Sequence, residues 1–70
     1  MMQDVKLIYG TGRRESMLAI IGLLMEMQQA FYYSKKFLRV KTRKQSLTNT
    51  LVLEMKRAGL QVRVKRENNN

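Results

Sequence analysis

The residues of this chain that could do chemistry are mostly cations. Its 70 residues include 14 Lys and Arg against 5 Asp and Glu, and neither His nor Cys. All but three of these cations lie within residues 35–66, where Glu54 is the single carboxylate. A positive field this uneven favours a polyanion as the partner, with a well-solvated basic surface as the plainer alternative.

Two of the arginines follow a glycine-containing loop, residues 10–14, that precedes the first predicted helix. Backbone N–H groups at a helix N-terminus favour an anion, and arginines could add forked contacts to a phosphate. The loop lacks both the GK[ST] ending of a P-loop and the GxGxxG spacing. A plain strand-to-helix turn is the alternative, with Gly10 and Gly12 at positive φ and Thr11 or Gly12 as the helix cap.

The residues that we predict to contact nucleic acid come from this loop and from the basic half of the chain. Of the consecutive Tyr32 and Tyr33, one must point away from the apolar face of the helix. The ring of that exposed tyrosine, which is close to the predicted cations, could stack on a base. The sequence favours the plainer interpretation, in which the ring covers the core and its hydroxyl meets water. The predicted contacts are Arg13, Arg14, Lys35, Lys36, Arg39, Lys41, Arg43, Lys44, Arg63 and Lys65.

Nothing in the sequence groups residues for catalysis. The carboxylates are scattered singly, and without His or Cys no common acid–base or nucleophilic pair can be assembled. The same absences exclude disulfides and the usual zinc sites. We therefore predict a binding protein that is not an enzyme and that needs neither a metal nor a cofactor.

The most apolar stretch, residues 16–33, must form the element on which the core is built. Its apolar residues recur at steps of three or four, which predicts a helix that continues to about Tyr33. Glu26 interrupts the stretch too early for a membrane span, which needs about 20 apolar residues. Because the first half is apolar nearly all round, it is predicted to be buried on several sides, either as a core helix alone or as a core helix that also forms a homodimer seam. The residues predicted for a dimer or partner interface are Met17, Ile20, Ile21, Leu24 and Met25.

Three strands are predicted around this helix. In the first, Val5, Leu7 and Tyr9 alternate with Asp4, Lys6 and Ile8 and are expected to face the core. The second is residues 37–41, for which continuation of the helix is the alternative. The third is residues 60–65, whose strict alternation predicts one apolar and one basic face.

A second helix is predicted between the last two strands. Thr42 and Gln45 fit a capping box, and Gly59 stands where a left-handed C-terminal cap is expected. A helical stripe of Leu47, Leu51, Met55 and Ala58 lies between these signals. The exposed face is predicted to carry Gln45, Ser46, Thr48 and Asn49, which could read base edges or be ordinary surface residues.

These elements predict a small β-α-β-α-β domain of the α+β class. Two helices are expected on one face of a short three-stranded sheet, which dimerisation could complete. If the second and third strands are neighbours, Arg39, Lys41, Arg63 and Lys65 share the solvent face. The domain is predicted to span residues 1–66, with a disordered tail at 67–70.

For function, the sequence favours a dimeric, cytoplasmic nucleic-acid-binding regulator of transcription or of RNA. The alternative is a small adaptor or inhibitor that binds an acidic surface of another protein, such as a nucleic-acid-handling enzyme. A peripheral membrane protein that uses its basic face is the third and weakest hypothesis.

Overall fold

The computed structural model describes residues 4–67. Two helices and four strands follow one another in the order β-α-β-β-α-β. Their bounds are β1 Val5–Thr11, α1 Arg14–Glu26, β2 Tyr32–Tyr33, β3 Leu38–Thr42, α2 Gln45–Arg57 and β4 Gln61–Glu67. The predicted α+β class is therefore confirmed. The predicted tail is wrong at Glu67, which ends β4, and its other residues, 68–70, lie outside the described range.

The strands form a single antiparallel sheet in the order β2-β3-β1-β4. This connectivity is that of the ferredoxin-like, split β-α-β arrangement. The predicted count of three strands is wrong, because the chain after α1 adds a short edge strand, β2. The second and third predicted strands, now β3 and β4, are not neighbours, since β1 lies between them.

Both helices cover one face of the sheet and enclose a single core with it. The sheet contributes Ile8, Leu38 and Val40, each of them fully buried. Packing within one chain already buries much of the apolar surface of α1. A partner is therefore required to bury less of that surface than the composition of the helix suggests. The helices and the turn after α2 complete the core with Met17, Ile20, Leu24, Leu51, Met55 and Leu60.

Helix α1 ends at Glu26, well before the predicted end at Tyr33. Gln28 adopts a left-handed conformation, with φ of 56°. The Gln29 N–H donates to the Leu24 carbonyl at 2.8 Å and the Gln28 N–H donates to Met25 at 3.1 Å. These two bonds form a Schellman cap without glycine, which sequence pattern alone does not indicate.

Helix α2 ends as predicted, at Gly59 with φ of 96°. Its start is different, because Thr42 belongs to β3 and no side chain caps the helix. The Thr48 hydroxyl donates to the Lys44 carbonyl at 3.0 Å and lies 2.5 Å from the Thr42 hydroxyl. The predicted capping box is therefore wrong. Thr48, which was expected on the exposed face, is buried.

The glycines of residues 10–12 serve close packing and not a left-handed turn. Strand β1 continues through Thr11, and neither Gly10 nor Gly12 is among the described residues with positive φ. A Cβ on Gly12 would lie 2.8 Å from Leu60 Cδ2, and one on Gly10 would lie 3.0 Å from Leu60 Cδ1. Arg13 stands at the helix cap, without a capping side-chain hydrogen bond. The predicted turn geometry and both predicted caps are therefore wrong.

Two glycine substitutions are expected to change stability in opposite directions. Gly59→Ala should cost about 1–2 kcal/mol, because an L side chain is disfavoured at this φ. Gly22→Ala lies inside α1, where an added Cβ meets nothing within 4 Å, so it should stabilise by about 0.5–1 kcal/mol. Urea denaturation of dilute protein measures both. A Gly59→Ala protein as stable as wild type would contradict the described cap.

Candidate nucleic-acid-binding face

The sheet face opposite the helices is open, and strand register decides which side chains share it. Tyr9 of β1 is paired with Arg39 on one side and with Arg63 on the other. One step along, Leu7 is paired in the same way with Lys41 and Lys65. The four cations predicted to share a face therefore do so, although β1 separates the strands that carry them. We name this surface the open face; its residues are Leu7, Tyr9, Thr11, Tyr32, Phe37, Arg39, Lys41, Arg63 and Lys65.

The predicted orientation of β1 is wrong for Leu7 and Tyr9, which belong to the open face. Ile8 points to the helices instead, and it is fully buried opposite Val40. Residues 7–9 are all apolar, so their pattern is compatible with either orientation. Contacts with the helices, which the pattern does not contain, select Ile8 for the core.

Three aromatic rings gather on the open face. The Tyr9 and Phe37 ring centroids are 5.6 Å apart with 57° between their planes, and those of Tyr32 and Phe37 are 5.7 Å apart at 37°. Both separations lie within the usual range of aromatic pairs. Sequence reasoning missed Tyr9 and Phe37 as site residues, because they come together only when β1 pairs with β3.

The tyrosine pair divides between the two faces of the sheet. Tyr32 is paired with Arg39 and is 49% exposed, whereas Tyr33 is paired with Leu38 and packs against the core. The Arg39 guanidinium carbon lies 5.0 Å from the centroid of the Tyr32 ring, within the range of a cation–π contact. The open face therefore presents a ring already stacked with a cation.

The remaining cations of the open face are solvated and available. Arg63 and Lys65 are exposed, and together with Tyr9 and Phe37 they line a shallow hollow. Lys41 forms an ion pair with Glu67 at 3.6 Å, but its side chain stays 52% exposed. Such exposed pairs contribute little energy, typically below about 1 kcal/mol, so the Lys41 charge is free to meet a phosphate.

The other predicted contacts lie beyond the ends of the strands. Arg13 and Arg14 follow β1, and Arg14 shares a hollow with Tyr33 and Lys35. The antiparallel register puts the loop between β3 and α2 at the opposite end of the sheet. The structure therefore places further cations near both ends of the sheet. One end carries Arg13, Arg14, Lys35 and Lys36, and the other carries Arg43 and Lys44, all of them exposed.

The residues predicted for a dimer interface are not all accessible. Met17, Ile20 and Leu24 are buried in the core, and Ile21 packs partly against it. Met25 is 66% exposed. As a continuous partner surface the predicted set is therefore wrong, since three of its members are already covered within the chain.

Comparison of the chain with known protein families, curated proteins and solved structures gives no relative from which a function could be transferred. No protein-family model, curated protein or solved structure matches the chain. Within residues 4–67, no helix is long and apolar enough to cross a membrane. The same residues contain no group of three or more His, Cys, Asp or Glu side chains that could hold a metal ion. The candidate site is therefore defined by the geometry of the open face alone.

Proposed function

We propose that this protein binds single-stranded nucleic acid on the open face of its sheet. Bases stack on Tyr9, Phe37 and Tyr32, while Arg39, Lys41, Arg63 and Lys65 contact phosphates. The observation that carries the proposal is the strand register, which sets Tyr9 between two arginines and beside Phe37.

The aromatic rings favour an unpaired strand over a duplex. In a duplex the faces of the bases are stacked on one another, whereas an unpaired base offers its face to a protein ring. Stacking on aromatic side chains is worth about 1–3 kcal/mol per base and tolerates any sequence. Four-stranded sheets that stack bases on aromatic residues of their strands are an established mode of RNA recognition. The open face likewise carries rings on its sheet, Tyr9 on β1 and Tyr32 on β2, with Phe37 immediately before β3.

The cations supply the sequence-independent part of the affinity. Four phosphate contacts on a single strand give a slope of log affinity against log salt of about −3. Affinity should therefore fall about fiftyfold between about 50 and 200 mM salt. Cations beyond both ends of the strands extend this field to a longer oligonucleotide.

Removing two of these cations should change the salt dependence. The double variant Arg63→Ala, Lys65→Ala is expected to flatten the slope by about 1.4 units, because it removes two phosphate contacts. Both side chains are exposed, so folding should be unaffected. Fluorescence anisotropy with labelled single-stranded RNA and DNA at several salt concentrations measures the slope.

The matched control is Lys56→Ala, Arg57→Ala, which removes the same charge from α2 in the helical layer. Its slope should stay close to that of wild type, since neither residue belongs to the open face. Equal flattening by both double variants would mean that bulk charge, and not the open face, binds the strand. Absence of binding to any single strand at low salt would reject the proposal.

We further propose that the protein acts as a cytoplasmic regulator of RNA or transcription and is not an enzyme. The open face carries rings and cations but no pair of groups suited to acid–base or nucleophilic work.

An acidic protein surface is the second candidate partner, and one observation favours it. Strand β4 is at the sheet edge, and the groove between it and α2 is lined by Leu53 and Val64, 49% and 46% exposed, with Lys6 and Lys56 beside them. An acidic segment could pair with this edge. Binding there would depend on Leu53 and Val64 and not on Tyr9 and Phe37.

A further inference from the structure

The outer side of α1 carries an apolar stripe that no other residue of the described range 4–67 covers. Leu18, Gly22 and Met25 follow one another at helical spacing on the side away from the core. Leu18 is 44% exposed and Met25 is 66% exposed. We name these three residues the outer stripe.

Gly22 has no role in the packing of a single chain. Among residues 4–67, an added Cβ would meet nothing within 4 Å, so no described neighbour requires a glycine here. Its φ is not among the positive values of the described residues, so backbone conformation does not require glycine either. Glycine inside a helix is destabilising relative to alanine. A glycine at this position would, however, allow another molecule to approach the helix closely.

The charge of α1 indicates which molecule could cover the outer stripe. Helix α1 carries Glu15 and Glu26 against Arg14, which makes it the only helix or strand within residues 4–67 with more acids than cations. Beyond the arginines at its N-terminus, α1 offers no cation to a polyanion or an acidic protein. A second copy of a chain with net charge +9, however, meets the least repulsion there.

We propose that the outer stripe is the interface of a homodimer in which two α1 helices pack antiparallel across a twofold axis. With the axis near Ile20, Leu18 of each copy lies against the space left by Gly22 of the other. The same symmetry brings Arg14 of each copy near Glu26 of the other, and the two helix dipoles oppose favourably. The interface is small, so association is expected in the micromolar range.

This arrangement does not depend on nucleic acid, and it leaves both open faces accessible. They lie on the far side of each sheet from α1, pointing away from the twofold axis. The interface also differs from the set expected from composition, since only Met25 is common to both.

Sedimentation equilibrium of the full chain over micromolar to high-micromolar concentrations tests the proposal. Wild type should shift from 8.3 kDa towards twice that mass as concentration rises. Gly22→Gln should remain a monomer, because a long side chain fills the space for Leu18. It should also raise the melting temperature of dilute protein by replacing glycine with a better helix former.

Thr50→Gln, an exposed substitution on α2, is the matched control and should dimerise like wild type. Leu18→Gln, a second variant of the stripe, should weaken association at least tenfold. A wild-type protein that stays monomeric throughout overturns the inference. So does a dimer that both stripe variants leave intact, because its interface would then lie elsewhere, as at the edge of β4.

Discussion

Replacing Tyr9 and Phe37 together by leucine is expected to lower the affinity for single-stranded RNA or DNA by about a hundredfold or more. Each ring should stack on one base, and each such contact contributes about 1–3 kcal/mol. Leucine keeps an apolar side chain of similar bulk on the sheet, so the substitutions should lower the affinity for nucleic acid and not the stability of the fold. Fluorescence anisotropy at constant salt measures the affinity, and circular dichroism verifies the fold.

Two controls separate stacking from general apolar contact. Tyr9→Phe keeps the ring and should leave affinity within a few fold of wild type. Phe31→Leu removes a ring that packs against the core and only borders the open face beside Tyr32, so it should lower affinity far less than the double variant. If the leucine double variant binds as tightly as Phe31→Leu, the aromatic cluster is structural and the nucleic acid binds elsewhere.

Leu24→Ala is expected to cost about 3 kcal/mol of folding free energy and to leave a substantial fraction of the protein unfolded at 37 °C. Leu24 is fully buried between α1 and the sheet, so its truncation opens a cavity in the core. A chain this short buries a modest share of its surface, and domains of this size have only a few kcal/mol to lose. Urea denaturation monitored by circular dichroism measures the change.

Leu18→Ala on the same helix is the matched control. Because Leu18 is 44% exposed, its truncation leaves no enclosed cavity and should cost well under about 1 kcal/mol in dilute protein. Similar losses at Leu18 and Leu24 would contradict the described orientation of α1.

The sequence by itself determined the features that depend on local periodicity. The alternation of residues 60–65 predicts the last strand and its orientation, because one of its faces is basic; the structure places β4 at Gln61–Glu67, with Leu60 in the turn before it. The apolar pattern of α2 is followed by Gly59, and a glycine at this position predicts a left-handed C-terminal cap, which the structure has. The α+β class follows from these elements, since both present apolar faces that must be buried together.

The tertiary structure alone decided the end of α1, the fourth strand and the open face. Helix α1 ends because Gln28 adopts a left-handed backbone conformation, which a glutamine does not predict. Residues 7–9 are compatible with two orientations, and only packing against the helices turns Ile8 inward and Tyr9 outward. Tyr9 and Phe37 are far apart in the chain and meet because β1 lies beside β3. Strand pairing is a long-range contact that no local pattern encodes, and it brings the rings of β1 and β2 together with Phe37, which immediately precedes β3.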